Sequence, residues 1–583
     1  MENRQVDGGS GGATIGYVVG GGLKEGLRVR LTAPVQDLQE GSFVVCDSGR
    51  WRFYGLVTDL RLGATDPRFA SDSADRFPPA LRDLLYGQTL YATLEVFPTL
   101  MLDRGPEDPL ERLAWEAEIE AGRAPRPRPR PVKTIPGHHA PVRLAHEGDI
   151  AEVFGREAPD RFVVGYTLEQ GYPVRLDLGR FVKRSSGIFG ATGTGKSFLT
   201  RLLLAGIIAA GVDDPMMASV LVFDMHNEYG FDDTDEEDNL VRGLKSLFGP
   251  RVQVAALGAG SQVRGQSPDF TLEIAMSDIT PGDIMALSES LDLTETAPTT
   301  LHALRRSFGE RWFERFTALE AGKTITTEEG KTIPAPDSVA AWAKDNNIHE
   351  GAAEALHRKL RPIADRDYVV PRPAADAVTA IVDRLEQGRH VVLSFGRHES
   401  ELDYLLVSNI LTRRIRERWV KKSETYRSQR ALGARPPKPL LIVVEEAHKL
   451  LSPRLAGQTA FGQIAREMRK YYVTLLIVDQ RPSAIHDEVM SQLGTRITGW
   501  LGDANDIAAV LTGLSGRDKL RGMLARLQER EEVLLLGWGV PMPIAVRSRR
   551  YDRDFWEEIQ ARVGVPVAAE RPTLDQVNEE LFG

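Results

Sequence analysis

Over the first hundred residues, short apolar, β-branched and aromatic runs follow one another: Ala13–Val19, Arg28–Leu31, Phe43–Val45, Phe53–Val57 and Leu90–Val96, broken by glycines. Runs of this kind predict strands. Short strands this closely spaced predict a small β-barrel. A run of alternating proline, Arg123-Ala124-Pro125-Arg126-Pro127-Arg128-Pro129-Arg130-Pro131, then excludes helix and predicts an extended, exposed segment. It is either a solvated spacer or a basic arm for a phosphate backbone, and in both cases it marks a boundary.

From about residue 150 the pattern changes to uninterrupted apolar runs, each followed by a longer helical stretch: Ile188-Phe189, Ser219–Asp224, His390–Phe395, Leu440–Val444 and Val473–Asp479. Such alternation predicts an α/β domain with a mainly parallel sheet. Between about 280 and 365 the helical period takes over, as in Leu301–Arg306 and Arg311–Phe316, which predicts a helical insertion. The expected division is a barrel and linker over 1–137, an α/β domain over 138–552 and a tail over 553–583.

The chain has 583 residues, with 42% hydrophobic and 27% charged, enough for several cores in an ordinary globular composition. No apolar run reaches membrane-spanning length and no apolar signal core follows Met1-Glu2-Asn3-Arg4, so the expected place is the cytoplasm and no membrane partner is expected. Cys46 is the only cysteine, which excludes an intrachain disulfide framework and a cysteine-cluster zinc site. A net charge of -9 does not advertise nucleic-acid binding, yet a ring around DNA needs positive charge only along its channel. One helical stretch is basic, with Arg413, Arg414, Arg416, Arg418, Lys421 and Lys422, and Arg427, Arg430, Arg435 and Lys438 follow it. A solvated face and a phosphate-tracking surface both fit that run.

The chemistry begins at Gly190-Ala191-Thr192-Gly193-Thr194-Gly195-Lys196-Ser197, between an apolar strand and an apolar helix. This is the G-x-x-x-x-G-K-[ST] phosphate loop. Its amides cradle phosphates, Lys196 reaches the β/γ-phosphates of ATP, and the Ser197 hydroxyl is placed for Mg²⁺. The strand ending at Asp224, followed by Glu228, presents acids that either face the nucleotide or cap the next turn. Leu440–Val444 runs into Glu445-Glu446, about 250 residues after the loop. Glu445 suits Mg²⁺ through water, and Glu446 suits orienting or deprotonating an attacking water. Gln480, at the end of a further strand, can sense the γ-phosphate independently of pH, and Arg481 can stabilise transition-state charge or form a surface ion pair.

Together the phosphate loop, Asp224–Tyr229, Glu445-Glu446-Ala447-His448, Arg466–Lys470 and Gln480-Arg481-Pro482-Ser483 resemble the HerA family of hexameric DNA translocases, as does the order of domains. The resemblance implies an α/β RecA-like P-loop ATPase with an N-terminal small β-barrel, the HAS-barrel, and a helical insertion. It implies ATP and Mg²⁺ as cofactors, a homo-hexamer with nucleotide between subunits, and duplex DNA through the ring. Lys196, Ser197, Glu446 and Gln480 carry over by motif position. Arg184 and Arg481 are each similar to a family arginine at the subunit interface, and which of them completes the neighbour's site stays open. The resemblance also implies a C-terminal segment bracing an adjacent subunit, against which an ordinary packed helix stands as the alternative. It further implies a partner nuclease or other effector bound through the barrel, in DNA repair or antiviral defence. An ATP-dependent assembly scaffold that recruits such an effector, with little motor activity, is the second reading.

Overall fold

The structure is a computed structural model that describes residues 13–65, 90–235, 237–328, 331–457, 459–514 and 516–565. The chain's first residues and the polar end of the tail lie outside these. The chain divides into two compact units, Met1–Lys196 with Val478–Arg549, and Ser197–Ile477 with Arg550–Gly583.

In the first unit the short runs form a barrel. Strands Thr14–Gly22, Gly26–Leu31, Phe43–Ser48, Trp51–Ala64, Leu90–Asp103 and Pro141–Leu144 are the staves, and Gly26–Leu31 pairs with Leu90–Asp103 to close the ring. These strands pair antiparallel. Inward positions fill the interior with Val29, Val44, Phe53, Val57, Leu94 and Val142 among others. Cys46 belongs to this core, and burial pushes its thiol up to about 12. Glycines that read as strand breaks lie within strands at register shifts: at Gly55 a Cβ would come 2.8 Å from the Phe97 carbonyl oxygen. A side chain there would push the two long strands apart.

Two boundaries differ from the sequence expectation. Pro141–Leu144 pairs with both Thr14–Gly22 and Phe43–Ser48, so the barrel runs past residue 137. Four residues beside prolines carry too little pattern to announce a strand. The end of the proline-arginine run is part of the barrel as well: Arg130 and Pro131 pair with Met101 and Leu100, and the Arg130 guanidinium lies 4.8 Å from the Trp51 ring.

The other half of this unit is a sheet in which Ser186–Phe189 runs parallel to Thr495–Thr498. Strands Glu532–Gly537, Ile544–Ser548, Arg161–Thr167 and Pro173–Asp177 continue it antiparallel. The barrel is tied to this half by ion pairs of Glu95 with Lys519 at 2.8 Å and of Glu40 with Arg526. Just beyond the barrel, Asp149 in the first turn of helix Glu147–Phe154 is fully buried between Arg143 at 2.6 Å and Arg52 at 3.3 Å, and accepts from the His146 amide.

The second unit carries a parallel sheet in the order Phe270–Leu272, Val252–Leu257, His390–Ser394, Ser219–Asp224, Leu440–Glu445, with Val473–Asp479 next. The central strands are buried along their whole length, which explains their continuous apolar runs. Helix Lys196–Asp213 is buried from Leu199 to Ala210. Residues 281–364 are dominated by five helices packed around Trp312, Phe313, Phe316 and Trp342, and contain one short hairpin at 324–334.

The basic run lies on helix Glu401–Gln429, where Arg413 pairs with Asp283, and Arg418 and Lys422 pair with Glu386. These three cations are engaged within the fold. The tail helix Arg553–Val563 buries Phe555 and Trp556, Tyr551 donates to the Arg242 carbonyl at 2.9 Å, and Arg562 pairs with Asp213. Its aromatics are packed in this chain.

For Asp149, burial alone would raise the carboxyl, but Arg143 and the His146 amide outweigh it and hold it below the ordinary carboxylate range. Its contribution is therefore present above the unfolded value near 3.9 and is lost as pH falls through the lower folded value. Asp149→Asn should cost about 3 kcal/mol at pH 7 by leaving buried guanidinium charge unpaired, and the difference from wild type should shrink in acid. Thermal melting at pH 7 and pH 3 checks both.

Candidate functional site

In the first unit the phosphate loop follows Ser186–Phe189, and its path depends on glycine. Gly193 and Gly195 have φ of 78° and 80°, where a side chain is strained. At Gly190 a Cβ would meet the Thr194 hydroxyl at 2.5 Å. Thr194 is buried and donates to the Ala191 carbonyl at 2.8 Å, and the Ala191 amide donates to Trp500 at 3.0 Å. The loop is thus fixed from inside, while Thr192 and Gly193 are exposed. The Lys196 ammonium donates to the Ala191 carbonyl at 2.7 Å, a cation held at the loop mouth. Thr192 donates its hydroxyl to the Gln480 carboxamide, so Gln480 reaches the loop in this unit.

In the second unit the acids divide into structural and chemical. Asp224 accepts from the amides of Glu228 at 2.7 Å and Tyr229 at 2.9 Å, so it caps the turn. Burial lifts it to about 6, although those amides pull the other way. The Glu228 carbonyl accepts from Arg201. Glu445 ends the buried strand Leu440–Glu445. One of its oxygens accepts from the Tyr229 hydroxyl at 2.6 Å, and its carbonyl accepts from Tyr404 at 2.9 Å. Its other oxygen is buried with no hydrogen-bond partner. Burial, then the charges of Asp224 and Glu228, push this carboxyl well above the ordinary range. A buried acid in that condition fits a cation reached through water, the role expected of it with Mg²⁺. Among the described residues no group of three or more His, Cys, Asp or Glu could hold a metal, so an ion here would keep much of its water.

Glu446 follows at φ 46°, a left-handed conformation uncommon for a residue with a side chain. Its carboxylate is 3.7 Å from His448 Nδ1 and about one-fifth exposed, open enough for water to reach it. Strain at the end of a buried strand is a feature of functional turns. Tyr229 and Tyr404 were not singled out in the sequence, because their polar ends matter only once the fold brings them to Glu445.

The two arginines that the resemblance assigns to a subunit interface are held differently, both in the first unit. Arg184 lies 4.2 Å from the Trp538 ring, and its stem runs along Gly494, where a Cβ would come within 2.6 Å of it. Arg481 is exposed, and its amide donates to Asp479 at 2.7 Å. Trp538 gave no signal beyond its place after an apolar run.

The family model of the HerA helicase central domain matches residues 162–415, a span that includes the phosphate loop. The DNA double-strand break repair helicase HerA of Sulfurisphaera tokodaii is 24% identical over 548 residues, covering 92% of this chain and 93% of that one. Its counterpart from Sulfolobus acidocaldarius is 23% identical over 545 residues, covering 92% and 94%. Among solved structures, VirB4 of Thermoanaerobacter pseudethanolicus is 16% identical, covers 69% of this chain and 99% of that one, and has a TM-score of 0.41.

Lys196→Ala should weaken binding of a fluorescent ATP analogue tenfold or more, the scale of a lost charge-assisted contact, and leave the nucleotide-free melting temperature within a degree or two. Equilibrium titration beside a thermal melt measures both.

Proposed function

We infer, for a chain that belongs to the HerA family and is an ATPase of the P-loop class, that it is a ring-forming motor driving duplex DNA by ATP hydrolysis. The observation that carries this reading is the end of strand Leu440–Glu445: a buried carboxylate with one bare oxygen, followed at once by an acid in a left-handed turn. Such a pair suits splitting a triphosphate, because one acid serves a hydrated cation and the other serves water.

In this mechanism the loop amides and Lys196 would hold the phosphates, and Ser197 with Glu445 would hold Mg²⁺, whose chemistry there would be to offset charge on the phosphate oxygens. Glu446 orients the attacking water and takes its proton. Gln480, already joined to the loop through Thr192, reports whether the γ-phosphate is present. Arg184 and Arg481 are the candidates for completing a neighbouring subunit's site. The indole beneath Arg184 favours it, since a guanidinium held on an aromatic face has less freedom to lose.

The finer reading is a homo-hexamer in the cytoplasm, whose barrel recruits a nuclease or other effector for DNA end processing or antiviral defence. No helix among the described residues is long and apolar enough to cross a membrane.

Glu446→Gln should bind ATP within a few-fold of wild type and turn it over at least a hundredfold more slowly, the scale of a lost general base. Equal turnover in the two proteins would remove Glu446 from the mechanism. Duplex DNA should raise wild-type turnover several-fold at low salt and lose that effect as salt rises. Turnover indifferent to DNA would favour the scaffold reading, and electron micrographs with ATP and duplex DNA would place or exclude a six-membered ring.

A further inference from the structure

Helix Arg517–Arg526 is joined to strand Glu532–Gly537 by a tight turn. The turn is closed by the Glu532 amide on the Gln528 carbonyl at 3.2 Å and by the Gln528 amide on the Glu532 carboxylate at 3.0 Å. The Ser548 amide donates to the Glu531 carbonyl at 2.7 Å, fixing the turn from the next strand. Arg530 sits at its tip with φ 69°, a conformation that glycine or asparagine fills more readily than arginine. An arginine kept in that conformation calls for a reason in its side chain.

The turn lies against the phosphate loop of the same unit. A Cβ on Gly193 would come 3.9 Å from the Arg530 Nη2, and a Cβ on Gly195 would come 3.9 Å from the Arg530 carbonyl oxygen. No other described atom outside the immediate chain neighbours comes within 4 Å of either position. The two left-handed glycines of the loop therefore share one neighbour, and Arg530 is an exposed residue.

We propose that Arg530 is a further nucleotide-contact residue, pairing its guanidinium with the phosphate chain of a nucleoside triphosphate bound in the loop of its own chain. The proposal rests on the reading that this loop binds nucleotide. A planar fork of donors matches two phosphate oxygens at once, and a site that gathers three phosphates in a row has charge left over after one lysine. Arg184 and Arg481 are candidates for reaching across to a neighbour; Arg530 serves its own loop. The stiff turn holds the arginine beside the loop before nucleotide arrives, so little freedom is lost on binding.

The test separates side chain from backbone. Arg530→Gly and Arg530→Asn both accept a left-handed conformation and both remove the charge. Each should weaken ATP binding about tenfold or more in equilibrium titration with a fluorescent ATP analogue, with nucleotide-free melting unchanged. Wild-type affinity in either folded variant would overturn the proposal. If wild type binds ATP, Lys196→Ala does not, and the Arg530 variants match wild type, this inference falls and nucleotide binding stands. If wild type binds no ATP, both fall.

Discussion

A carboxylate taken out of water with only part of its hydrogen bonding satisfied is costly, and Glu445 is such a group. Its strand is buried from Leu440 to Glu445, so the fold cannot move the acid outward without exposing apolar surface. Tyr229 and Tyr404 then fix one oxygen and the backbone carbonyl, leaving the second oxygen as the only place where the deficit can be relieved. The cost is met by the apolar packing around it, and burial favours the protonated form of the acid until a positive charge is brought beside it. The left-handed turn at Glu446 follows from the same constraint. The chain must leave a buried strand at once and still present a second acid to water.

How much of this was readable depends on the range over which the signal acts. The phosphate loop was legible because its requirements are local: three glycines, a lysine and a hydroxyl at fixed spacing answer to backbone sterics and phosphate geometry. The apolar strands were legible because burial on both faces leaves no polar positions. Asp224 stayed ambiguous because an acid after a strand can cap a turn or face a ligand, and only the amides of Glu228 and Tyr229 decide it. The short closing stave Pro141–Leu144 was missed because its strand character comes from the two neighbours it pairs with. Likewise the C-terminal segment read either as a brace for another subunit or as an ordinary packed helix, and the burial of Phe555 and Trp556 within the second unit fits the packed helix.

The basic helix carries the same lesson with the opposite sign. Charge alone left Arg413, Arg418 and Lys422 open to a solvated face or a phosphate-tracking surface, and Asp283 and Glu386, far away in sequence, engage them within the fold. Net charge along a helix is a property of sequence, whereas available charge is a property of the fold. In a chain with a net charge of -9, the positive charge this helix leaves available is therefore smaller than the count of arginines suggests.

Within the first unit, helix Arg517–Arg526 touches the barrel at its sides and leads into the turn beside the phosphate loop. Lys519 and Arg526 on helix Arg517–Arg526 pair with Glu95 and Glu40 of the barrel. Gly516, before that helix, has φ 73° and leaves room for the Phe97 ring, which a Cβ would meet at 2.5 Å. The same helix ends in the turn whose arginine lies against Gly193 and Gly195. Barrel, helix, turn and loop are thus in contact through ion pairs and packing. Contiguity does not by itself make two sites speak to each other, since coupling needs two arrangements of one element.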